Sequence, residues 1–109
     1  MCEFFVKQSP SRYVQVTRCV RLNGQATSVR IEAAFWDIID EMALREGVTT
    51  AAFLSALHSE ILIHKGEPTN FSSLLRCTCL MFLEMKLKPE DAAASGGDLP
   101  LKVRSSRSV

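Results

Sequence analysis

The feature that most constrains the fold is a change of hydrophobic period at residue 33. In residues 27–32 the apolar Val29 and Ile31 alternate with polar side chains, and a period of two is typical of a strand with one buried face. Beyond it the apolar positions recur every three or four residues, as a stripe formed by Phe35, Ile38, Ile39, Met42 and Ala43. That spacing predicts an amphipathic helix. The sequence therefore predicts a strand that runs directly into a helix.

Capping residues mark the ends of three predicted helices. The first covers about 33–46, because Gly47 can end it in the left-handed conformation. The second covers about 50–65, since Thr49 or Thr50 can cap its first turn. The third covers about 71–87, follows Asn70 as its cap, and is apolar nearly all round. Such a helix must be covered on most sides, so we expect it at a subunit interface.

A second strand is predicted before the first one. Asn23-Gly24 stands between alternating residues, which is a strong signal for a hairpin with a two-residue type I′ turn. In that register Leu22 faces Gln25, and one side of the ribbon is mostly apolar, with Arg18 as the exception. The other side is mostly polar, so the register is self-consistent. Whether the hairpin forms within the chain stays open at this point.

The order of strand, helix, tight turn and helix resembles the ribbon-helix-helix family of Arc/MetJ-like DNA-binding proteins. Residues 27–32, Phe35-Trp36-Asp37 and the turn at 45–49 carry the resemblance. A bacterial branch of small stand-alone proteins with this domain is similar in residues 1–6, 19–37 and 70–76. The resemblance implies a mostly α fold with a short β-ribbon, an additional C-terminal helix and an intertwined homodimer. The simplest members contribute one strand per subunit, so a hairpin would be a departure.

The chain divides by composition into three parts. Residues 1–14 form an N-terminal arm whose apolar patch, Cys2–Val6, would pack on the domain or add a strand to a sheet edge. Residues 15–88 contain the ribbon-helix-helix domain with its extra helix. Residues 89–109 follow Pro89 and are rich in alanine, glycine and serine, so we expect a flexible tail.

Composition narrows the classes of function. No apolar run reaches the length of a membrane span, and we expect a cytoplasmic protein. The four cysteines are expected to be thiols, with no metal site, because Cys77 and Cys79 diverge on a helix and the two histidines do as well. No phosphate loop or nucleophile elbow is present. We therefore expect neither an enzyme nor a cofactor.

Charge is distributed unevenly along the chain. Residues 1–31 carry five basic side chains and one acidic one, whereas residues 32–67 carry seven acidic and two basic ones. The basic excess thus coincides with the predicted ribbon, and such asymmetry favours a polyanionic partner. Solvated charge without a partner is the alternative.

The family resemblance implies which residues would contact double-stranded DNA. Strand positions that read bases in the major groove fall on Ser28, Arg30 and Glu32, with Arg21 added if the hairpin forms. Phosphates would be anchored at the start of the second helix, at Thr49 and Thr50. The sequence therefore predicts a sequence-specific DNA-binding protein, a transcriptional regulator. The alternative is a protein-interaction or antitoxin-like dimerisation module that does not read DNA.

Overall fold

The computed structural model describes residues 1–87, and the predicted tail at 89–109 lies outside them. In chain order the elements are α1 Cys2–Val6, a 3-10 turn Pro10–Arg12, β1 Gln15–Leu22, β2 Gln25–Glu32, α2 Ala33–Glu46, α3 Thr50–Lys65 and α4 Phe71–Lys86. Residues 1–79 form one compact unit, and α4 continues beyond it into a second. The fold is the predicted one: a short β-ribbon followed by helices, with an extra helix at the end.

The hairpin forms within one chain. β1 and β2 pair antiparallel in the predicted register, with Leu22 opposite Gln25 and Val16 opposite Ile31. Asn23 and Gly24 have φ angles of 53° and 86°, and positive φ at both central residues is the mark of a type I′ turn. Both strands of this ribbon therefore come from one chain.

The two sides of the ribbon separate as predicted. Leu22, Val29 and Ile31 are buried beneath the helices, while the alternate residues point away from them. The asparagine of the turn is fastened to α3, because Ser59 Oγ donates to Asn23 Oδ1 at 2.7 Å and Asn23 Nδ2 lies 2.7 Å from His58 Nδ1. The apolar side thus joins the core, and the tip of the hairpin is held in place.

The buried face of α2 is centred on Trp36, and here the predicted stripe is partly wrong. Ile39, Met42 and Ala43 are buried as expected, but Phe35 and Ile38 are only half-buried. Trp36 is 1% exposed, and its indole Nε1–H donates to the carbonyl oxygen of Val16 in β1 at 2.8 Å. A buried indole needs such an acceptor, and the ribbon supplies it on this side of the helix.

Arg18, the exception on the apolar side, is paired with Asp40 of α2. Its two terminal nitrogens donate to the two carboxylate oxygens at 3.0 and 3.1 Å. The guanidinium also lies over the Trp36 ring, 4.4 Å from its centroid, a favourable cation–π arrangement. A charged side chain is therefore accommodated between ribbon and helix because its hydrogen bonds are satisfied there.

The predicted caps are confirmed. Gly47 ends α2 with a φ of 73°, the Thr49 hydroxyl accepts from Ala52 N–H at 3.1 Å, and Asn70 Oδ1 accepts from Ser73 N–H at 3.1 Å. The N-terminal arm differs from both expectations: Cys2–Val6 is a short helix, with Phe4 77% and Val6 78% exposed. Within residues 1–87 it is therefore neither an added strand nor part of the core.

Candidate nucleic-acid interface

The exposed side of the hairpin is the surface on which the predicted reading positions lie. We call it the outer ribbon face; it consists of Gln15, Thr17, Cys19, Arg21, Ala26, Ser28 and Arg30. Side chains of alternate strand residues share one side of a sheet, so the confirmed register places Ser28, Arg30 and Arg21 together. Two strands of one chain, β1 and β2, both contribute side chains to this face.

Two of the three arginines of the ribbon lie on this face, because Arg18 points to the helices instead. The Arg21 side chain reaches the hairpin tip, where its terminal nitrogen donates to the carbonyl oxygen of Gly24 at 3.0 Å. Arg30 lies near the other end of the ribbon, opposite Thr17. The outer ribbon face is therefore basic, but it carries only two of the three arginines that the sequence places on the ribbon.

Glu32 stands beside Arg30 at the end of β2, but its carboxylate is occupied within the chain. Arg76 of α4 donates to it at 2.9 Å, and Gln15 Nε2 donates to its other oxygen at 3.4 Å. The bond from Arg76 is the main reason why the pKa of Glu32 is lowered. Its negative charge is thus offset by Arg76, which reduces its repulsion of phosphate.

The predicted phosphate anchors lie at the turn between α2 and α3. The Thr49 hydroxyl caps the helix, and the Thr50 hydroxyl donates to Asp40 Oδ1 at 2.6 Å. Hydrogen bonds from Arg18 and Thr50 lower the pKa of Asp40, the former having the larger effect. Both hydroxyls are therefore engaged within the protein. An anion at this turn would bind the backbone N–H groups of Thr50 and Ala51 instead, because these groups have no acceptor inside the helix.

The contacts also bring in residues that sequence reasoning missed. Gln15 Oε1 accepts from Arg30 Nε at 2.9 Å, so Gln15 bridges Arg30 and Glu32. The hairpin register set by the Asn23-Gly24 turn could have predicted this position of Gln15, because that register pairs Gln15 with Glu32. Nothing in the sequence placed Arg76 of α4 next to the end of β2.

Residues 1–87 contain no cluster that could hold a metal ion. Nowhere in this range do three or more His, Cys, Asp or Glu side chains approach closely enough to hold a metal ion. Cys79 is buried, and burial raises its pKa to about 11, which keeps the thiol protonated and unreactive. None of the described helices is long and apolar enough to cross a membrane.

Comparison with known proteins identifies the family. A family model described as "Ribbon-helix-helix domain" matches residues 15–83. The chain belongs to the ribbon-helix-helix family. Proteins with this domain are typically DNA-binding transcriptional regulators or antitoxins.

One solved structure is similar to this ribbon-helix-helix chain over most of its length. It is an uncharacterized protein from Bordetella pertussis Tohama I, with 37% sequence identity and a TM-score of 0.78. The match covers 82% of this chain and 71% of that one. No curated protein matches the chain. The comparisons thus establish the family and the fold.

Proposed function

We propose that this protein is a sequence-specific DNA-binding protein, a cytoplasmic transcriptional regulator that places the outer ribbon face in the major groove. The observation that supports this most strongly is the exposure of Arg21, Ser28 and Arg30 together on one side of a two-stranded ribbon. Within residues 1–87 these side chains have no core to pack against, so the polar groups that they do not use inside the chain are available to a ligand. Two arginines on a ribbon favour a polyanion.

The dimensions of the ribbon fit the groove. Paired strands lie about 4.8 Å apart, and the major groove, about 12 Å wide, accommodates a two-stranded ribbon. In this proposal Arg30 donates to a guanine and Ser28 contacts a neighbouring base edge. Arg21, near the hairpin tip, contacts a base or a phosphate.

Glu32, Thr49 and Thr50 have smaller roles in this proposal. Glu32 already accepts from Arg76 and Gln15, so we assign it mainly to holding these neighbours. At the start of α3 the backbone N–H groups would bind phosphate, while the hydroxyls of Thr49 and Thr50 keep the turn in shape. The nearby carboxylate of Asp40 makes this the weaker of the two contact regions.

DNA binding is tested with fluorescence anisotropy on a duplex of random sequence at 50–200 mM salt. We expect the logarithm of affinity to fall linearly with the logarithm of salt concentration, by about 0.9 per phosphate contacted. Rounds of selection from a random library should then yield a preferred site. Absence of binding at the lowest salt, or binding that salt leaves unchanged, would contradict the proposal.

We also propose that the protein acts as a homodimer. The hairpin removes one reason for a dimer, since no lone strand needs a partner, but apolar surface on the helices supports association. Leu44 and Ile63 are 78% and 73% exposed, and Phe53, Leu57 and Ile61 of α3 are only half-buried. Light scattering at micromolar concentration should give twice the mass of the 12.1 kDa chain; a folded species of 12 kDa would contradict a dimer.

A protein-interaction or antitoxin-like module is the second candidate. The exposed apolar side chains of α1 favour it, because Phe4, Phe5 and Val6 project from the domain without cover in the described chain. The anisotropy experiment separates the two candidates. A stable, folded protein that binds neither random nor selected DNA would favour the interaction module.

A further inference from the structure

We infer that Gln15 positions Arg30 for base recognition, an inference that rests on the proposed DNA-binding function. Gln15 opens β1 and pairs with Glu32, two residues along the ribbon from the Thr17–Arg30 pair. Residues 15 and 30 therefore lie diagonally on the same side, within reach for long side chains. Arg30 Nε donates to Gln15 Oε1 at 2.9 Å.

This bond would fix the direction of the guanidinium. An arginine has five N–H donors in a planar fork, and Gln15 uses the one on Nε. The two terminal amino groups are left for a guanine, which accepts from two donors at its O6 and N7 atoms. A long exposed side chain held in its binding geometry before the encounter loses less freedom on binding.

Gln15 is itself held in place by hydrogen bonds that run through Glu32 to α4. Its Nε2 donates to Glu32 Oε2 at 3.4 Å, and Arg76 of α4 donates to Glu32 Oε1 at 2.9 Å. α4 also meets the backbone of β2 here, because Ser72 Oγ donates to the carbonyl oxygen of Arg30 at 3.2 Å. The extra helix of this chain thus supports the end of the ribbon that carries Arg30, through Glu32 and Gln15.

A glutamine can also read adenine directly, so the positioning role needs a test that distinguishes the two. The test uses the full-length protein and two duplexes: a site selected by the wild type, and the same site with one base pair exchanged. That base pair is the one at which Arg30→Ala loses its preference. The measured quantity is the dissociation constant for the exchanged site divided by that for the selected site. A loss of stability alone would not change this ratio, because it weakens binding to both sites equally.

We expect Gln15→Ala to lower this ratio by about two- to tenfold, the range that one hydrogen bond supplies, while affinity for random DNA and the salt slope stay unchanged. Adding Gln15→Ala to Arg30→Ala should have no further effect on the ratio, because Gln15 acts through Arg30. Gln25→Ala is the matched control, since it makes the same substitution at an exposed residue of the ribbon that pairs with Leu22 and lies outside the outer ribbon face. It should leave the ratio at its wild-type value.

Three results would overturn the inference in different ways. Equal ratios for wild type and Gln15→Ala, when Arg30→Ala lowers the ratio, would show that Arg30 reads DNA without help. Additive losses in the double variant would show that Gln15 contacts a base itself. No DNA binding by the wild type would reject the proposed function and this role with it.

Discussion

Trp36→Ala should unfold the domain or leave it only marginally stable. The indole is 1% exposed and joins α2 to the ribbon through its bond to the Val16 carbonyl oxygen. Replacing a buried aromatic residue by alanine costs about 3–5 kcal/mol, and the whole free energy of unfolding of a typical domain is about 5–15 kcal/mol. The change also removes the ring beneath the guanidinium of Arg18. Trp36 is the only tryptophan, so the variant has no tryptophan fluorescence to follow. Urea denaturation is therefore followed by circular dichroism.

Trp36→Phe and Phe35→Ala are the matched comparisons. Phenylalanine retains an aromatic ring but has no N–H for the Val16 carbonyl oxygen, so we expect a smaller loss, with about 1 kcal/mol from the hydrogen bond. Phe35 is adjacent but half-buried, so its replacement should cost less than that of Trp36. A larger loss of stability for Phe35→Ala than for Trp36→Ala would mean that the buried face of α2 is the one predicted from the sequence.

Local signals were enough to predict most of the secondary structure. The φ angles that Asn23, Gly24 and Gly47 adopt are positive, and such positions favour asparagine or glycine so strongly that the residue type marks the turn. Capping residues act within a few positions as well, which is why the helix limits at Gly47 and Thr49 could be read directly. The register followed because a slip of one residue would exchange the apolar and polar sides of the ribbon.

The orientation of α2 could not be read in the same way. A helix that carries Phe35, Trp36, Ile38 and Ile39 is apolar over a wide arc, so periodicity allows more than one buried face. The position of the hairpin decides between them, since it offers the Val16 carbonyl oxygen to an indole and pairs Arg18 with Asp40. These contacts join residues twenty or more positions apart, beyond the range of any local pattern.

The candidate site likewise has some features that local sequence patterns predict and others that depend on tertiary contacts. Exposure of Ser28 and Arg30 followed from strand alternation, and Arg21 followed from the hairpin. The environment of Glu32 did not, because Arg76 is 44 positions away in the sequence and reaches Glu32 through the packing of α4. Alternation fixes which side of a ribbon a residue faces, whereas tertiary contacts decide which of its polar groups remain free for a ligand.

Arg30→Ala should have the largest effect on DNA recognition. Losing one bidentate base contact costs about 1–3 kcal/mol of binding free energy and relaxes the preference at that base pair. The fold should survive, because Arg30 is exposed and, among residues 1–87, its side chain bonds only to Gln15 on the surface. Anisotropy at about 0.1 M salt on selected and random duplexes measures the change. Circular dichroism of the same preparation verifies the fold.

Arg30→Lys separates charge from geometry. Lysine keeps the positive charge but has no planar fork for the two acceptors of guanine, so affinity for random DNA should remain near the wild-type value while preference for the selected site falls. Arg21→Ala provides the second comparison, because it removes the other arginine of the outer ribbon face, at the hairpin tip. Wild-type discrimination by Arg30→Lys would mean that Arg30 contributes only charge, and equal binding by Arg30→Ala would remove it from the interface.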